Sequence, residues 1–338
     1  MPDRAAPQRV LVTGGAGYIG SHTVHALVDA GHAPVVLDDL STGTTRYLPT
    51  TVPFYEGDVA DGNLVGKILK QHAVDTVVHF AGSIVVPESV RDPGKYYANN
   101  TAASLALMRA VRAHGLARFV FSSTAAVYGE PAEQPVSEDA PLAPINPYGR
   151  SKLMTEWMLA DVAAASALRY MALRYFNVAG ADPAGRTGQT TPDATHLIKV
   201  ACECAAGRRA ELVIHGTDYP TPDGTCVRDF IHVSDLADAH VRAVEALGAG
   251  SPSRVLNCGY GRGYSVREVV DTLTRIAGPF TVRTGARREG DPPVIVAASE
   301  RIREVLGWQP QYDDLETIIR TAFAWEKGLQ SPKTVSIE

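Results

Sequence analysis

A short apolar run leading into Gly14-Gly-Ala-Gly17-Tyr-Ile-Gly20, and from there into a helical pattern, constrains this chain more than any other feature. Val10 to Thr13 reads as a buried strand, and the helix-like stretch Tyr18 to Ala30 stops at Gly31. In a strand–turn–helix of this kind, Gly14 permits the tight turn, Gly17 lets backbone approach a pyrophosphate, and Gly20 lets the helix pack close to the strand. The helix N-terminus, with Tyr18 and Ile19 in its first turn, offers unpaired N–H groups and a partial positive charge to phosphate. Asp38 follows at the end of the next strand, 18 residues after Gly20. An acid there accepts hydrogen bonds from the adenosine ribose. Asp39, not Arg or Lys, comes next, so a 2′-phosphate would meet two carboxylates, and NAD is expected over NADP.

Further strands are predicted over Val35–Leu37, Val52–Tyr55, Thr76–Phe80, Phe119–Phe121 and Tyr170–Tyr175, with long helices over Tyr96–Arg112 and Tyr148–Ala165. Strands alternating with helices predict parallel β-α-β units. After Ala179, glycine and proline become frequent and the elements shorten. The expected fold is α/β: a Rossmann-type doubly wound parallel sheet over residues 9–178, with a smaller C-terminal α/β substrate lobe over 179–330. The chain is expected to cross back near 228–248. Such sheets bind ligands beyond the carboxyl ends of their strands.

Composition excludes other classes. A net charge of −5 gives no basic surplus for nucleic acid, and Arg287-Arg288 is too short to be a patch. Cys202, Cys204, Cys226 and Cys258 fit neither a disulfide framework nor a zinc spacing, so no metal is expected. The polar segment Met1–Gln8 has no apolar h-region, and no run of about 18 apolar residues occurs, so a cytoplasmic protein away from membranes is expected.

Other residues mark the cleft. Gly57-Asp58-Val59 follows the third strand; Asp58 suits either the adenine amino group or a helix N-cap. Phe80-Ala81-Gly82 ends the fourth strand with small residues across which a cofactor can lie. Ser122-Ser-Thr124 ends the next, and Tyr148-Gly-Arg-Ser-Lys152 opens the second long helix. Tyr and Lys at i, i+4 share a helical face. The ammonium should lower the tyrosine pKa, making a base that takes a hydroxyl proton while hydride leaves the same carbon.

These residues carry a resemblance. Gly14–Gly20, Asp38, Asn99, Ser122–Thr124, Tyr148/Lys152, Arg174-Tyr175-Phe-Asn177 and Val227-Arg228-Asp-Phe-Ile-His-Val233 resemble the extended short-chain dehydrogenase/reductase family. The strings Val10–His22, His79–Gly82, Val127–Gly129, Pro147–Lys152 and Arg287–Asp291 resemble its nucleotide-sugar 4-epimerases, over roughly residues 9–325. The resemblance implies NAD-dependent interconversion of UDP-galactose and UDP-glucose by a homodimer, the pair of helices at 96–112 and 148–165 meeting across a two-fold axis. It assigns proton transfer to Tyr148, a hydrogen bond on the sugar hydroxyl to Thr124, and the nicotinamide ribose to Lys152. It adds Asn99, Ser122 and Tyr175 to the cofactor site. Asn177, His196, Arg228, Arg288 and Asp291 would hold the UDP-sugar. By themselves, Arg228 and Arg288 also read as solvated arginines and Asn177 as a turn residue. The chain departs from the pattern at Ile84, Thr124, His196, His215 and Ile295, all bearing on the sugar pocket. Ala125-Ala126 after Thr124 leaves no acid for loss of water, which argues against a 4,6-dehydratase. A UDP-pentose or UDP-N-acetylhexosamine substrate stays open as an alternative, and the intact Tyr148/Lys152 pair argues against a non-catalytic NAD-binding sensor.

Overall fold

The computed structural model describes residues 6–288 and 290–329. Five residues of the polar N-terminal segment, Glu289 of the Arg287–Asp291 string and residue 330 of the expected lobe lie outside the described residues. Six strands come first: β1 (Arg9–Thr13), β2 (Ala33–Asp38), β3 (Phe54–Glu56), β4 (Thr76–His79), β5 (Arg118–Thr124) and β6 (Arg169–Tyr175). Seven follow: β7 (Asn177–Ala179), β8 (Leu212–His215), β9 (Val227–His232), β10 (Arg254–Cys258), β11 (Gly263–Ser265), β12 (Val282–Gly285) and β13 (Val294–Ile295). The large sheet is parallel throughout, in the order β10-β6-β5-β4-β1-β2-β3. The order reverses between β1 and β4, which opens the crevice a doubly wound sheet uses for its ligand.

The helices of the first half are α1 (Tyr18–Asp29), α2 (Gly62–Gln71), α3 (Val86–Arg91), α4 (Pro93–Tyr96), α5 (Ala103–Ala113) and α6 (Pro147–Ala164). Those of the second are α7 (Leu197–Ala205), α8 (Val233–Gly248), α9 (Val266–Ala277), α10 (Glu300–Leu306) and α11 (Leu315–Gly328). One face of the sheet is covered by α1 and α8, through Val24, Leu27, Leu236 and Val244, all fully buried. The other is covered by α2, α5 and α6, through Ile68, Leu107 and Leu159. Parallel strands buried on both faces read as continuous apolar runs, as in Leu11-Val12 and Val77-Val78. After β6 the chain builds a smaller sheet, β11-β9-β13 with β7 beside β9, and a parallel pair, β8 with β12. Between them, α8 and β10 return to the large sheet.

Two local expectations are corrected. The single helix over Tyr96–Arg112 is interrupted: α4 runs into a π-helical turn, Tyr97–Ala102, before α5. Asn100 turns inward there, and its contacts hold the extra residue in the turn. The strand placed at Val52–Tyr55 starts only at Phe54, because Val52 N–H closes a turn onto Pro49 O.

Candidate active site

The cofactor end is built by β1, α1 and β2. At φ +69° Gly14 occupies the left-handed region, and a Cβ on it would fall 2.5 Å from the Ala81 amide nitrogen. Only glycine lets the ends of β1 and β4 approach so closely. Helix α1 starts at Tyr18 with Gly17 as its N-cap; no side chain caps it and no acid stands in its first turn. An uncapped N-terminus beside a glycine turn fits a pyrophosphate. Asp38 is 7% exposed; its carboxylate accepts from Ala16 N at 2.9 Å and from Leu40 N at 2.9 Å. Burial raises its pKa, against the two backbone donors. Gly57 N donates to Asp38 O at 3.1 Å, which brings the exposed Asp58 next to Asp38, with Val59 buried behind it. Asp58 is not a helix cap: it accepts from Ala60 N, and Asp61 caps α2 through Asn63 N and Leu64 N.

The catalytic end gathers at the carboxyl ends of β4, β5 and β6. Asn146 caps α6 by accepting from Gly149 N at 2.9 Å, and Pro147 takes the first helical position. This sets Tyr148 and Lys152 one turn apart, 8% and 2% exposed. The Lys152 ammonium donates to Ser122 O at 3.0 Å and lies over the Phe121 ring, 5.0 Å from its centroid. Burial without a carboxylate partner brings its pKa down to about 8. Burial also raises the Tyr148 phenol, and the Thr124 hydroxyl opposes this. Burial therefore opposes the lowered tyrosine pKa expected from the sequence. Removing the phenolate from water outweighs an ammonium directed at a carbonyl. Thr124 is 8% exposed and also accepts from Ala126 N. The Ser122 hydroxyl is hydrogen-bonded to the Tyr175 hydroxyl.

Of the two adjacent asparagines, Asn99 is exposed and donates to Ser83 Oγ at 3.1 Å. Asn100, which the sequence reading passed over, is 2% exposed. It accepts from Ser83 N at 2.7 Å and donates to Ser83 O and Ser151 Oγ, both at 3.0 Å. It thereby ties the segment after Phe80-Ala81-Gly82 to α6 between Tyr148 and Lys152. The signal for it was the doubled asparagine in a helical stretch, a poor helix choice.

The remaining residues lie on the smaller lobe. Arg228 on β9 and Asp291 meet at 3.4 Å, and Arg228 also donates to Val227 O. Arg288 is exposed in the preceding loop, and its carbonyl accepts from Asp291 N. Asn177 opens β7, half-buried and opposite Phe230. His196, at the N-cap of α7, is exposed with Nδ1 3.2 Å from Gln189 Nε2. Ile295 stands in register with Arg228 and packs among Ala125, Val127 and Phe176. Ile84 is 42% exposed, and His215 faces Ala286 O at 3.3 Å. His22 and His232 are buried and neutral, their pKa values held down by burial, and His25 bonds to Tyr47 O.

A glycine turn on an uncapped helix, an acid on the second strand and a buried Tyr/Lys pair across the sheet define a nicotinamide-dependent enzyme. The chain belongs to the NAD-dependent epimerase/dehydratase family, whose sequence model matches residues 10–259. Within it, the chain is similar to a UDP-glucose 4-epimerase of Azospirillum brasilense, 61% identical over 327 residues, 96% of this chain and 94% of the relative. Among solved structures it is similar to the UDP-glucose 4-epimerase of Brucella ovis in complex with NAD, at 48% identity and TM-score 0.92, covering 95% of this chain and 98% of that one. It is also similar to the UDP-Glc/GlcNAc 4-epimerase of Campylobacter jejuni, at 48% identity and TM-score 0.82, covering 95% and 99%.

Proposed function

We propose that the protein interconverts UDP-galactose and UDP-glucose by inverting the sugar C4, with NAD held throughout. One observation carries the reading: the near full-length likeness to a UDP-glucose 4-epimerase is joined to an intact Tyr148–Lys152 pair at the end of the cofactor crevice. The backbone of Gly14–Gly20, with Tyr18 and Ile19 N–H, holds the pyrophosphate, and Asp38 accepts from the adenosine ribose. Asp58 and Val59 border the adenine; Phe80, Ala81 and Gly82 form the floor. Asn99, Ser122, Lys152 and Tyr175 surround the nicotinamide half.

The chemistry supplied by the bound dinucleotide is reversible hydride exchange at C4, first from one face of the sugar and then to the other. Tyr148 takes the 4-hydroxyl proton as the carbonyl forms and returns it on re-reduction. Thr124 hydrogen-bonds that oxygen. Lys152 fixes the ribose and supplies positive charge near the phenol, acting with the charge of the oxidised cofactor against the burial that raises its pKa. The 4-keto sugar turns within the cleft while Arg228 and Arg288 keep the pyrophosphate by charge and fork geometry. In this reading Arg228 gives up part of its contact with Asp291 to the substrate, and Asn177, His196 and Asp291 complete the nucleotide-sugar site. Residues 9–178 serve the cofactor and 179–330 the UDP-sugar.

A homodimer in the cytoplasm is part of the proposal. Support for the dimer comes from Val90 on α3 and Trp157 on α6, 63% and 56% exposed on helices that pack together. Leu107, Met108 and Leu153 on the same helices belong to the core and do not contribute to that face. Four buried, free cysteines suit a reducing compartment. The deciding experiment is incubation with UDP-galactose without added NAD, followed by NMR. UDP-glucose should appear to equilibrium; no product, with dinucleotide present in the protein, rejects the activity.

A further inference from the structure

Helix α11 reaches the cofactor half through Trp325. The Trp325 indole meets the Tyr47 ring edge-on, with centroids 4.9 Å apart. Its Nε1 donates to Gln189 O at 3.3 Å, and a Cβ on Gly188 would fall 2.5 Å from its Cε2, so the indole is seated without slack. Tyr47 lies near the far end of segment 39–48, which leaves β2 directly after Asp38. That segment lies on the glycine turn: Thr44 N donates to Ala16 O at 3.0 Å, and a Cβ on Gly43 would fall 2.8 Å from the same carbonyl. Ala16 in turn donates to Asp38. Leu40, at φ +57°, holds a conformation that bulky residues avoid, fixed by its N–H on Asp38. His25 on α1 bonds to Tyr47 O at 2.9 Å.

We propose that Trp325 is a positioning residue for the cofactor: from the C-terminal helix it latches segment 39–48 against the glycine turn and slows release of NAD. The segment starts beside the acid that faces the ribose, and its outer end is gripped by Tyr47. A dinucleotide leaving the turn must lift residues 40–44 away from Ala16, which pulls Tyr47 from the indole. The strained Leu40 gives the segment a reason to open, and the aromatic contact, worth about a factor of ten in an equilibrium constant, opposes it. An enzyme that regenerates its cofactor each turnover gains from such a latch.

The test is the rate at which NAD leaves the full-length protein, read by filtration into NAD-free buffer, for wild type, Trp325→Leu, Trp325→Phe and Tyr47→Ala. Wild-type binding, titrated on protein stripped of NAD, checks the cofactor seat separately. Trp325→Leu and Tyr47→Ala should release NAD about tenfold faster, with Trp325→Phe near wild type because it keeps a ring against Tyr47. Tyr47→Ala tests the contact from the loop side if Trp325→Leu folds poorly. Wild-type release rates in both Trp325→Leu and Tyr47→Ala would overturn the latch. So would a Trp325→Phe variant that releases as fast as Trp325→Leu, or a lowered melting temperature of the NAD-free protein with an unchanged release rate.

Discussion

Arg174 and Glu156 form a buried, forked ion pair behind the catalytic strand, with Arg174 Nη2 2.6 Å from Glu156 Oε2 and both side chains 5% exposed. Arg174 Nε also donates to the carboxylate, Ser123 donates to Oε1, and Arg174 Nη1 donates to the Tyr128 hydroxyl. Glu156 lies one turn beyond Lys152, so the pair fixes α6 against β6 where Tyr148 and Lys152 must stand. Removing one partner strands a buried charge. Glu156→Leu should cost about 3–5 kcal/mol in urea unfolding, and Glu156→Leu combined with Arg174→Met distinctly less. Equal losses in the single and double variants would contradict the pairing.

For the catalytic tyrosine, Tyr148→Phe should lower kcat by about 10² or more while the dinucleotide remains bound, since general acid–base work accounts for that scale. Stopped assays with quantified NAD content check this. Turnover near the wild-type level would remove Tyr148 from the mechanism.

Lys152 ties catalysis to stability. Its pKa of about 8 in the folded, cofactor-free protein lies below the 10.5 of the unfolded chain. Between pH 8 and 10.5 the unfolded chain binds the extra proton, so this residue's penalty fades as pH rises; below pH 8 it is present in full. Lys152→Met should therefore stabilise the NAD-free protein at pH 7 by on the order of 1–3 kcal/mol, after the lost hydrogen bond to Ser122, and the gain should vanish near pH 10.5. Activity should fall in the same variant. Melting curves across pH decide it; a variant less stable at pH 7 refutes the burial argument.

Four buried histidines govern acid stability. Burial holds His79 and His232 at about 3, and His22 and His240 at about 4. Unfolded histidines protonate near 6.5, so below that pH the unfolded chain takes up protons first and stability falls. Asp229, raised to about 6 by burial, acts the other way, binding its proton first in the folded state. Asp38 and Asp235, also raised by burial, act with Asp229. Four histidines outweigh three carboxylates: unfolding free energy should rise with pH between about 4.5 and 6, and His240→Leu should reduce that slope by roughly one proton, about 1.4 kcal/mol per pH unit. An unchanged slope would mean His240 is charged in the fold.

Ile295, in register with Arg228 and in one buried cluster with Ala125 and Phe176, tests substrate breadth in the proposed function. If Ile295 faces the sugar in the proposed site, a side chain smaller than tyrosine there would leave room for an acetamido group. UDP-N-acetylglucosamine should be epimerised more slowly than the hexose substrates, and Ile295→Tyr should remove that activity while leaving hexose turnover within a fewfold, a change of about 1–3 kcal/mol. No N-acetyl turnover by wild type at millimolar substrate would point instead to His196 filling the space.

The cofactor turn was legible because its cause is local: glycine spacing, an adjoining strand and helix, and Asp38 at a fixed distance are all written within 30 residues. The shared face of Tyr148 and Lys152 was equally local. What escaped needed the third dimension. Whether Asp58 or Asp61 caps α2 depends on where the chain leaves β3. The π-helical turn exists because Asn100 finds Ser83 and Ser151, far off in sequence. The upward shift of Tyr148 follows from what buries it, and the contact of Arg228 with Asp291 from the pairing of β9 with β13.

The edge strand β10 carries a consequence for how the chain is made. Its partner β6 is completed long before β10 leaves the ribosome, and α8, which covers the α1 face, emerges only just ahead of it. Until then the part of the sheet face that α8 covers lies open to water and β6 is an unpaired edge, the kind of surface that recruits other chains. A nascent chain stalled before residue 258 should therefore depend on chaperones, and expression of residues 1–178 alone should yield aggregate, not a free nucleotide-binding module.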